Sequence, residues 1–185
     1  MRNEEAITKS NRLLLLAQTQ LRNDENIKNM KPIFEFIINS RKAFIQLIDG
    51  LTVEQLNKIP DGYNNNIIWN FGHIVVSTQL LCYVRTGIWA DASGVKFADA
   101  YKKDTKPTYF VTEAEVDELK RLAFETIKQI EDDYANGKFA KINPYATSTY
   151  FAQMNSIEEI LTTTIGHDNL HYGYSLALKK GVEKV

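Results

Sequence analysis

The sequence is poor in cysteine and carries no excess of either charge. Cys82 is the only cysteine among 185 residues, which excludes a disulfide within the chain and indicates a reducing, cytoplasmic location. Lys and Arg number 22 and Asp and Glu 23, so the formal net charge is -1 at pH 7. Nucleic-acid-binding surfaces normally need a basic excess, and the sequence has no basic block with interleaved aromatics. We therefore expect no nucleic-acid partner.

Long hydrophobic runs are also missing from the N-terminal part of the sequence. The longest aliphatic run there is Leu13-Leu14-Leu15-Leu16-Ala17, which is too short for a membrane span or for the core of a signal peptide. Glu4 and Glu5 precede it where a signal would carry basic residues. We expect no membrane partner. The composition, with 44% hydrophobic and 24% charged residues, is that of a globular protein with one sizeable core.

Apolar residues recur at helical spacing in four segments, which predicts four main helices. Capping residues, glycines and one proline mark their ends. The second helix is apolar nearly all round, so it should be the most buried element. The predicted helices begin near Pro32, Asn66, Thr112 and Ser156, and end near Gly50, Val84, Gly137 and Lys180.

The segments between these helices differ greatly in length. Residues 86–111 are predicted to be a long connection without regular structure, and the loop after Gly137 contains the β-prone piece Thr149-Tyr150-Phe151. The fold class predicted is all-α, an antiparallel four-helix bundle with long second and third connections. The bundle domain is expected at residues 31–185, after an N-terminal extension at residues 1–30 that is loosely packed or partly helical.

The three histidines of the chain fall on the predicted core-facing sides of two helices. His167 and His171 are four residues apart, which places them on one face of the fourth helix about 6 Å apart. His73 lies on the second helix. Three imidazoles from two facing helices can ligate one divalent metal ion and leave a coordination position open. A metal site made by His73, His167 and His171 is therefore our leading hypothesis.

Other interpretations of these histidines remain open at this point. Each could be an isolated core histidine bonded to a neighbouring hydroxyl or carbonyl group. A zincin site fits less well, because that motif needs Glu directly after the first histidine and the chain has Asp168 there. Cys82 follows His73 by nine residues and points elsewhere on the helix, which indicates a core thiol.

Three polar residues near the histidines are candidates for orienting ligands or substrate. Asn70 and Ser77 lie three residues before and four residues after His73, and Tyr174 follows His171 by three. Ordinary helix packing is the alternative explanation for all three. The sequence offers no clear general base, which favours a nucleophile activated by a metal.

Two motifs together resemble a known family. Trp69 to Ile74 read Trp-x-x-Gly-His-Ile and residues 167–173 read His-x-x-x-His-x-Gly. In helices two and four of a four-helix bundle, these motifs are similar to those of the DinB-like (damage-inducible, YfiT-related) superfamily of metalloproteins, over about residues 31–181. The resemblance implies that the three histidines ligate a divalent metal, commonly zinc or nickel, in a bundle that often dimerises. It also implies relatives that are thiol S-transferases and isomerases using mycothiol, bacillithiol or glutathione.

The chain departs from the common pattern of that superfamily after the first histidine of the fourth helix. Many relatives read His-Glu-x-x-His-Arg-Gly-Gln, whereas residues 167–174 read His-Asp-Asn-Leu-His-Tyr-Gly-Tyr. Contacts to substrate that involve the missing Arg and Gln are therefore not expected to be shared. The three histidines are unaffected by this difference.

Two functions of different classes follow from the sequence. The first is a metal-dependent enzyme that acts on a small molecule by activating a low-molecular-weight thiol, as a thiol S-transferase, or water, as a hydrolase. The second is a non-catalytic metal-binding stress or interaction protein, in which the metal ties two helices together. In both cases the single cysteine indicates the cytoplasm, and the resemblance implies a homodimer.

Overall fold

The computed structural model describes residues 2–183, and the side chains of residue 12, residue 25 and residues 27–183. The protein is mostly helical, which confirms the predicted all-α class. Two short strands pair antiparallel, with Tyr145 opposite Met154. The elements in chain order are α1 Arg2–Asp49, α2 Val53–Asn57, α3 Ile67–Gln79, α4 Ala98–Tyr101, α5 Glu113–Ala135, β1 Tyr145–Ala146, β2 Gln153–Met154 and α6 Ile157–Val182.

The chain divides into two compact units, Met1–Pro32 and Ile33–Val185. The predicted start of the first helix at Pro32 is wrong, because α1 already begins at Arg2 and has Pro32 inside it. Residues 1–31 contain neither glycine nor proline, so no strong helix breaker precedes Pro32. The fixed φ of proline is itself helical, although its missing N–H and the clash of its ring with the carbonyl four residues back weaken a helix at that point. The loose packing expected of residues 1–30 stays a prediction.

The polar residues predicted to cap the later helices do so. The side chain of Asn66 accepts a hydrogen bond from the backbone N–H of Trp69 at 2.8 Å. Thr112 and Ser156 accept equivalent bonds from the third residue beyond each of them. These bonds satisfy backbone donors that the first turn of a helix leaves without partners. They set where α3, α5 and α6 begin, and hence where along α3 and α6 the histidines lie.

Helix α3 is buried along its whole length, as its apolar sequence predicts. By length and composition alone, residues Ile67–Val84 would pass as a membrane span, with a mean hydropathy of 1.4. Within the structure 83% of that stretch is buried. A core helix meets the same criteria, so this is weak evidence for a span.

The connections contain more structure than the sequence predicts. Helix α3 runs into a π-helical turn at Leu80–Val84, and α4 lies within the connection expected to be irregular. The strand expected at residues 149–151 is wrong: β1 and β2 lie on either side of it, at residues 145–146 and 153–154. Residues 149–151 belong to the link between the strands, where Phe151 has a left-handed φ of 53°.

A fully buried arginine links four helices. Arg41 of α1 donates from Nε to Asp168 Oδ2 on α6 at 3.1 Å. Its Nη1 donates to the Ala123 carbonyl on α5 at 2.8 Å, and its Nη2 to Thr78 Oγ1 on α3 at 2.7 Å. A buried charge is tolerated only when it is paired and hydrogen-bonded, and Arg41 meets both conditions. The network fixes α6 at the residue next to His167.

Candidate metal centre

The three histidines meet between α3 and α6. The ring centroids of His73 and His167 are 5.1 Å apart, those of His73 and His171 4.7 Å, and those of His167 and His171 4.6 Å. One nitrogen from each ring can be chosen so that all three lie within 4.8 Å of one another. Nitrogens this close could hold one metal ion between them. The prediction from the sequence that the three histidine rings lie close together is therefore confirmed.

Burial keeps the three imidazoles neutral near pH 7. Loss of hydration lowers the pKa of His73, and its hydrogen bond to a backbone carbonyl opposes this only in part. Burial, followed by the neighbouring rings, lowers the pKa of His167 to about 4 and that of His171 to about 3. A neutral imidazole has a lone pair available for a metal, so no proton has to be displaced before binding.

The tautomer of His73 is fixed by a backbone carbonyl. Its Nδ1 lies 2.7 Å from the carbonyl oxygen of Tyr101, and because a carbonyl only accepts, Nδ1 carries the hydrogen. The lone pair is therefore on Nε2. The indole of Trp69 stacks on the imidazole with centroids 4.8 Å apart and planes 11° from parallel. Trp69 and Tyr101 together hold both the plane and the protonation pattern of His73.

The side chain of Asn70 fixes the tautomer of His171. Its Nδ2 donates to the carbonyl oxygen of Asn66 at 2.7 Å, which fixes the orientation of the amide. The opposite atom, Oδ1, then lies 2.7 Å from His171 Nδ1 and accepts its hydrogen. The lone pair of His171 is again left on Nε2. Such acceptors behind metal-ligating histidines set the tautomer and raise ligand basicity.

His167 has a different environment from the other two histidines. Within residues 27–183, no side chain or backbone group hydrogen-bonds to its ring. It is held through the helix instead, since the next residue, Asp168, is fixed by Arg41. Asp168 is buried, and its carboxylate pairs with Arg41. It is accordingly unsuited to act as the base of a zincin-type site, which agrees with the sequence analysis.

The histidines form part of the wall of a cleft of about 340 Å³. Apolar and hydroxyl side chains make up most of the remaining lining, and two cationic side chains join them. No aspartate or glutamate is among the lining residues. The lining residues are His73, Ser77, Leu80, Leu81, Arg85, Lys103, Thr147, Ser148, Thr149, Tyr150, Thr163, His167, Leu170 and His171.

The other residues singled out in the sequence have distinct positions. Ser77 lines the cleft, with its Oγ 3.3 Å from Nε2 and 3.4 Å from Nδ1 of His73. Tyr174 packs edge-to-face on Tyr63 with centroids 5.7 Å apart and is not among the residues that line the cleft. Cys82 is a buried free thiol, as expected, and burial raises its pKa to about 12. An ordinary metal-ligating or nucleophilic thiol has a much lower pKa.

Several residues that shape the site are not among the candidates predicted from the sequence. Tyr101 acts through its backbone carbonyl, 28 residues from His73, and the only signal was the glycine that precedes His73. Arg41 had a clearer signal, because it lies four residues after Ile37 and three before Phe44, on the apolar stripe of α1. The lining residues 147–150 had no signal in a polar loop.

The fold and the site together define a helical protein with a three-histidine candidate metal centre beside an open cleft. The family model of the DinB superfamily matches residues 37–175, which is more than half of the chain. The chain belongs to the DinB superfamily. Among curated proteins, no match was found.

The chemistry of the donor set fits a divalent metal ion. Imidazole nitrogen suits zinc, nickel, copper and iron, whereas magnesium and calcium prefer oxygen. Two of the three rings already have Nδ1 occupied by an acceptor, as at known metal-binding histidines. The deep burial of Asn70 and His73 keeps water away from these supporting bonds.

Proposed function

We propose that the protein is a metal-dependent enzyme that activates a low-molecular-weight thiol for transfer to an electrophilic small molecule. His73, His167 and His171 would hold the ion, with zinc or nickel preferred by the donor set. The observation that carries the proposal is the convergence of three neutral imidazole nitrogens within 4.8 Å of one another, at the wall of a cleft.

Three neutral histidines would leave a divalent ion its full charge, and an ion held there would lower the pKa of a thiol or water beside it, which would supply a nucleophile at neutral pH. The chain's own part is to hold the rings. Tyr101 and Asn70 keep Nδ1 of His73 and His171 protonated, so that both lone pairs remain on Nε2. Ser77, at the cleft wall beside His73, would orient the substrate or one of the rings.

In the proposed transfer, the thiol loses its proton to solvent through the open cleft. The sulfur then forms a bond to carbon of the electrophile, and the leaving group departs with the electron pair of the broken bond. Hydrolysis, with water in place of the thiol, is the nearest chemical variant. The cleft volume of about 340 Å³ falls within the usual range for small-molecule sites.

The same cleft weighs against the alternative of a non-catalytic metal-binding protein. Structural zinc usually has four protein ligands and a closed coordination shell. Within the described residues, the group around His73 contains three histidines and no carboxylate or thiol. A homodimer in the cytoplasm is part of the proposal. The single free cysteine supports the location, and the superfamily resemblance supports the dimer.

Thiol conjugation to 1-chloro-2,4-dinitrobenzene tests the proposal. Protein reconstituted with zinc or nickel is assayed with a panel of thiols, including glutathione, bacillithiol and mycothiol. We expect one thiol to give a rate above the uncatalysed reaction that is lost in His171→Ala and retained in Asn169→Ala, a polar residue of the same helix outside the cleft lining. Metal-loaded protein that is inert with every thiol would favour the binding-protein alternative.

A further inference from the structure

The charged side chains that line the cleft are all positive. Arg85 and Lys103 are the cationic members of the lining, since the histidines are neutral, and the lining has no acidic residue to balance them. Lys103 is 71% exposed and pairs with Asp104 at 3.4 Å, which weakens its field at the cleft. Arg85 is also exposed, but it pairs with no acidic residue among residues 27–183, so it supplies the main positive charge of the wall.

A π-helical turn determines where Arg85 lies. The backbone N–H of Arg85 donates to the carbonyl of Leu80 at 2.8 Å, five residues back, instead of continuing the α-helical pattern. The extra residue in this turn shifts the side chains that follow relative to an uninterrupted α-helix. Such turns are rare and frequent at functional sites. Leu80 and Leu81 of the same turn also line the cleft.

The strand β1 is attached to this turn and holds the guanidinium in place. Tyr145 donates from its hydroxyl to the Leu81 carbonyl at 2.9 Å, and its ring lies 4.7 Å from the Arg85 guanidinium carbon. Arg85 Nη2 donates to the Ala146 carbonyl at 3.3 Å. An arginine has five N–H donors, and within the described residues this is the one hydrogen bond of its side chain. Donors of the guanidinium therefore remain available for a ligand.

Residues with hydroxyl side chains line the same wall of the cleft next to β1. Thr147 Oγ1 is a buried atom without a hydrogen-bond partner among the described residues, and Thr147 lines the cleft directly after β1. Ser148 and Thr149 add further hydroxyl groups to the same wall.

We propose that Arg85 binds an anionic group of the substrate, with Lys103 adding to the field and the exposed hydroxyls of Ser148 and Thr149 beside it. The substrate class is a small molecule with a carboxylate, sulfonate or phosphate at one end and an apolar segment that packs on Leu80, Leu81 and Leu170. This inference rests on the proposed function for the identity of the site as a substrate cleft. It assigns Arg85 as a residue that determines specificity.

Two matched pairs of probes test the assignment. Propane-1-sulfonate is compared with propan-1-ol, and 2-mercaptoethanesulfonate with 2-mercaptoethanol, by NMR titration of amide shifts at low ionic strength. Sulfonates are poor metal ligands, so their advantage over the alcohols reports on the protein cations. We expect each sulfonate to bind at least about fivefold tighter than its neutral partner, and salt to reduce the difference.

Substitutions then locate the cation. In Arg85→Gln the ratio of the affinities of each sulfonate and its neutral partner should fall to about one. Arg85→Lys should keep part of the preference for the sulfonate, because the charge remains. Arg121→Gln is the matched control, since Arg121 is an exposed arginine on α5 that pairs with Glu118 and Glu125. Thermal unfolding of each variant checks that the fold is intact.

The outcomes separate this inference from the proposed function. An unchanged sulfonate advantage in Arg85→Gln, equal binding of sulfonates and alcohols, or no binding of any probe overturns the anion site. If propane-1-sulfonate binds through Arg85 but neither thiol binds more tightly than its thiol-free counterpart, the anion site stands and the thiol chemistry fails. The counterparts are propane-1-sulfonate for 2-mercaptoethanesulfonate and propan-1-ol for 2-mercaptoethanol.

Discussion

Gly72 and Tyr101 are packed so closely that no side chain fits between them. A Cβ atom placed on Gly72 would lie 2.5 Å from Cδ1 of the Tyr101 ring. The same tyrosine offers its carbonyl oxygen to His73 Nδ1 at 2.7 Å. The missing side chain at position 72 therefore lets α4 approach α3 closely enough for one candidate ligand to be oriented.

Replacing Gly72 with alanine should move Tyr101 away from α3 and weaken its bond to His73. Overpacking of this kind costs about 1–3 kcal/mol, measured as the free energy of unfolding in urea. Because the acceptor behind His73 is displaced, metal affinity should fall by about 10- to 100-fold. Gly173→Ala is the control, since a Cβ there has no neighbour within 4 Å. It should stabilise α6 by about 0.5–1 kcal/mol and leave metal affinity unchanged.

Asn70→Ala should weaken metal binding by about 10- to 100-fold, because His171 loses the acceptor for its Nδ1 hydrogen. The readout beyond affinity is the tautomer of His171 in ¹⁵N NMR of the imidazoles. The wild type should show Nδ1 protonated, and the variant a mixture of tautomers. If the spectrum of His171 is the same in both proteins, Asn70 does not set the tautomer.

The Arg41–Asp168 ion pair should be strongly coupled. Asp168→Leu leaves the buried guanidinium without a counter-charge and should reduce the free energy of unfolding by about 3–5 kcal/mol. Adding Arg41→Met removes that charge, so the double variant should be more stable than Asp168→Leu alone. Urea denaturation of the two single variants and the double variant measures the coupling. A double variant whose loss equals the sum of the two single losses would show that the pair is uncoupled.

The metal-free protein should lose stability as the pH falls below about 6.5. The pKa of His171 is lowered to about 3 in the folded chain by burial, against 6.5 for a solvent-exposed histidine, so between these values the unfolded chain binds a proton that the folded chain does not. Stability then falls with decreasing pH by up to about 1.4 kcal/mol per pH unit for this group.

A comparison with His171→Gln isolates that contribution. The pKa of Asp168 is raised to about 6 by burial and acts in the opposite sense, but it is present in both proteins and cancels in the difference. Free energies of unfolding at pH 7, 6 and 5 should show a steeper decline in the wild type. Parallel profiles would mean that His171 is protonated equally in the folded and unfolded chains.

The helical class and the meeting of the three histidines could be predicted because both depend on local periodicity. His167 and His171 share a face through their spacing, and His73 lies on the most apolar helix. The contacts that support the site could not be predicted, because they join distant parts of the chain. Arg41 and Asp168 are 127 residues apart in the sequence, and Arg85 and Ala146 are 61 residues apart. Such pairs follow from tertiary packing, which no pattern along one helix contains.

The error at the start of α1 has a local cause. Proline is common in the first turn of a helix, which favours a helix start at Pro32, although its φ also fits the interior of a helix. The strand expected at residues 149–151 is misplaced because Tyr150 and Phe151 favour strands by residue type alone. In the structure Phe151 is 90% exposed and left-handed, so it belongs to the link between β1 and β2.

The most direct test of the account is the metal content of the protein without an affinity tag. The chain has three histidines in all, so a tag would mask their contribution. Elemental analysis should find about one zinc or nickel ion per chain in the wild type and in Ser77→Ala, and almost none in His73→Ala, His167→Ala or His171→Ala. Metal content that is unchanged in the three histidine variants would contradict the metal centre.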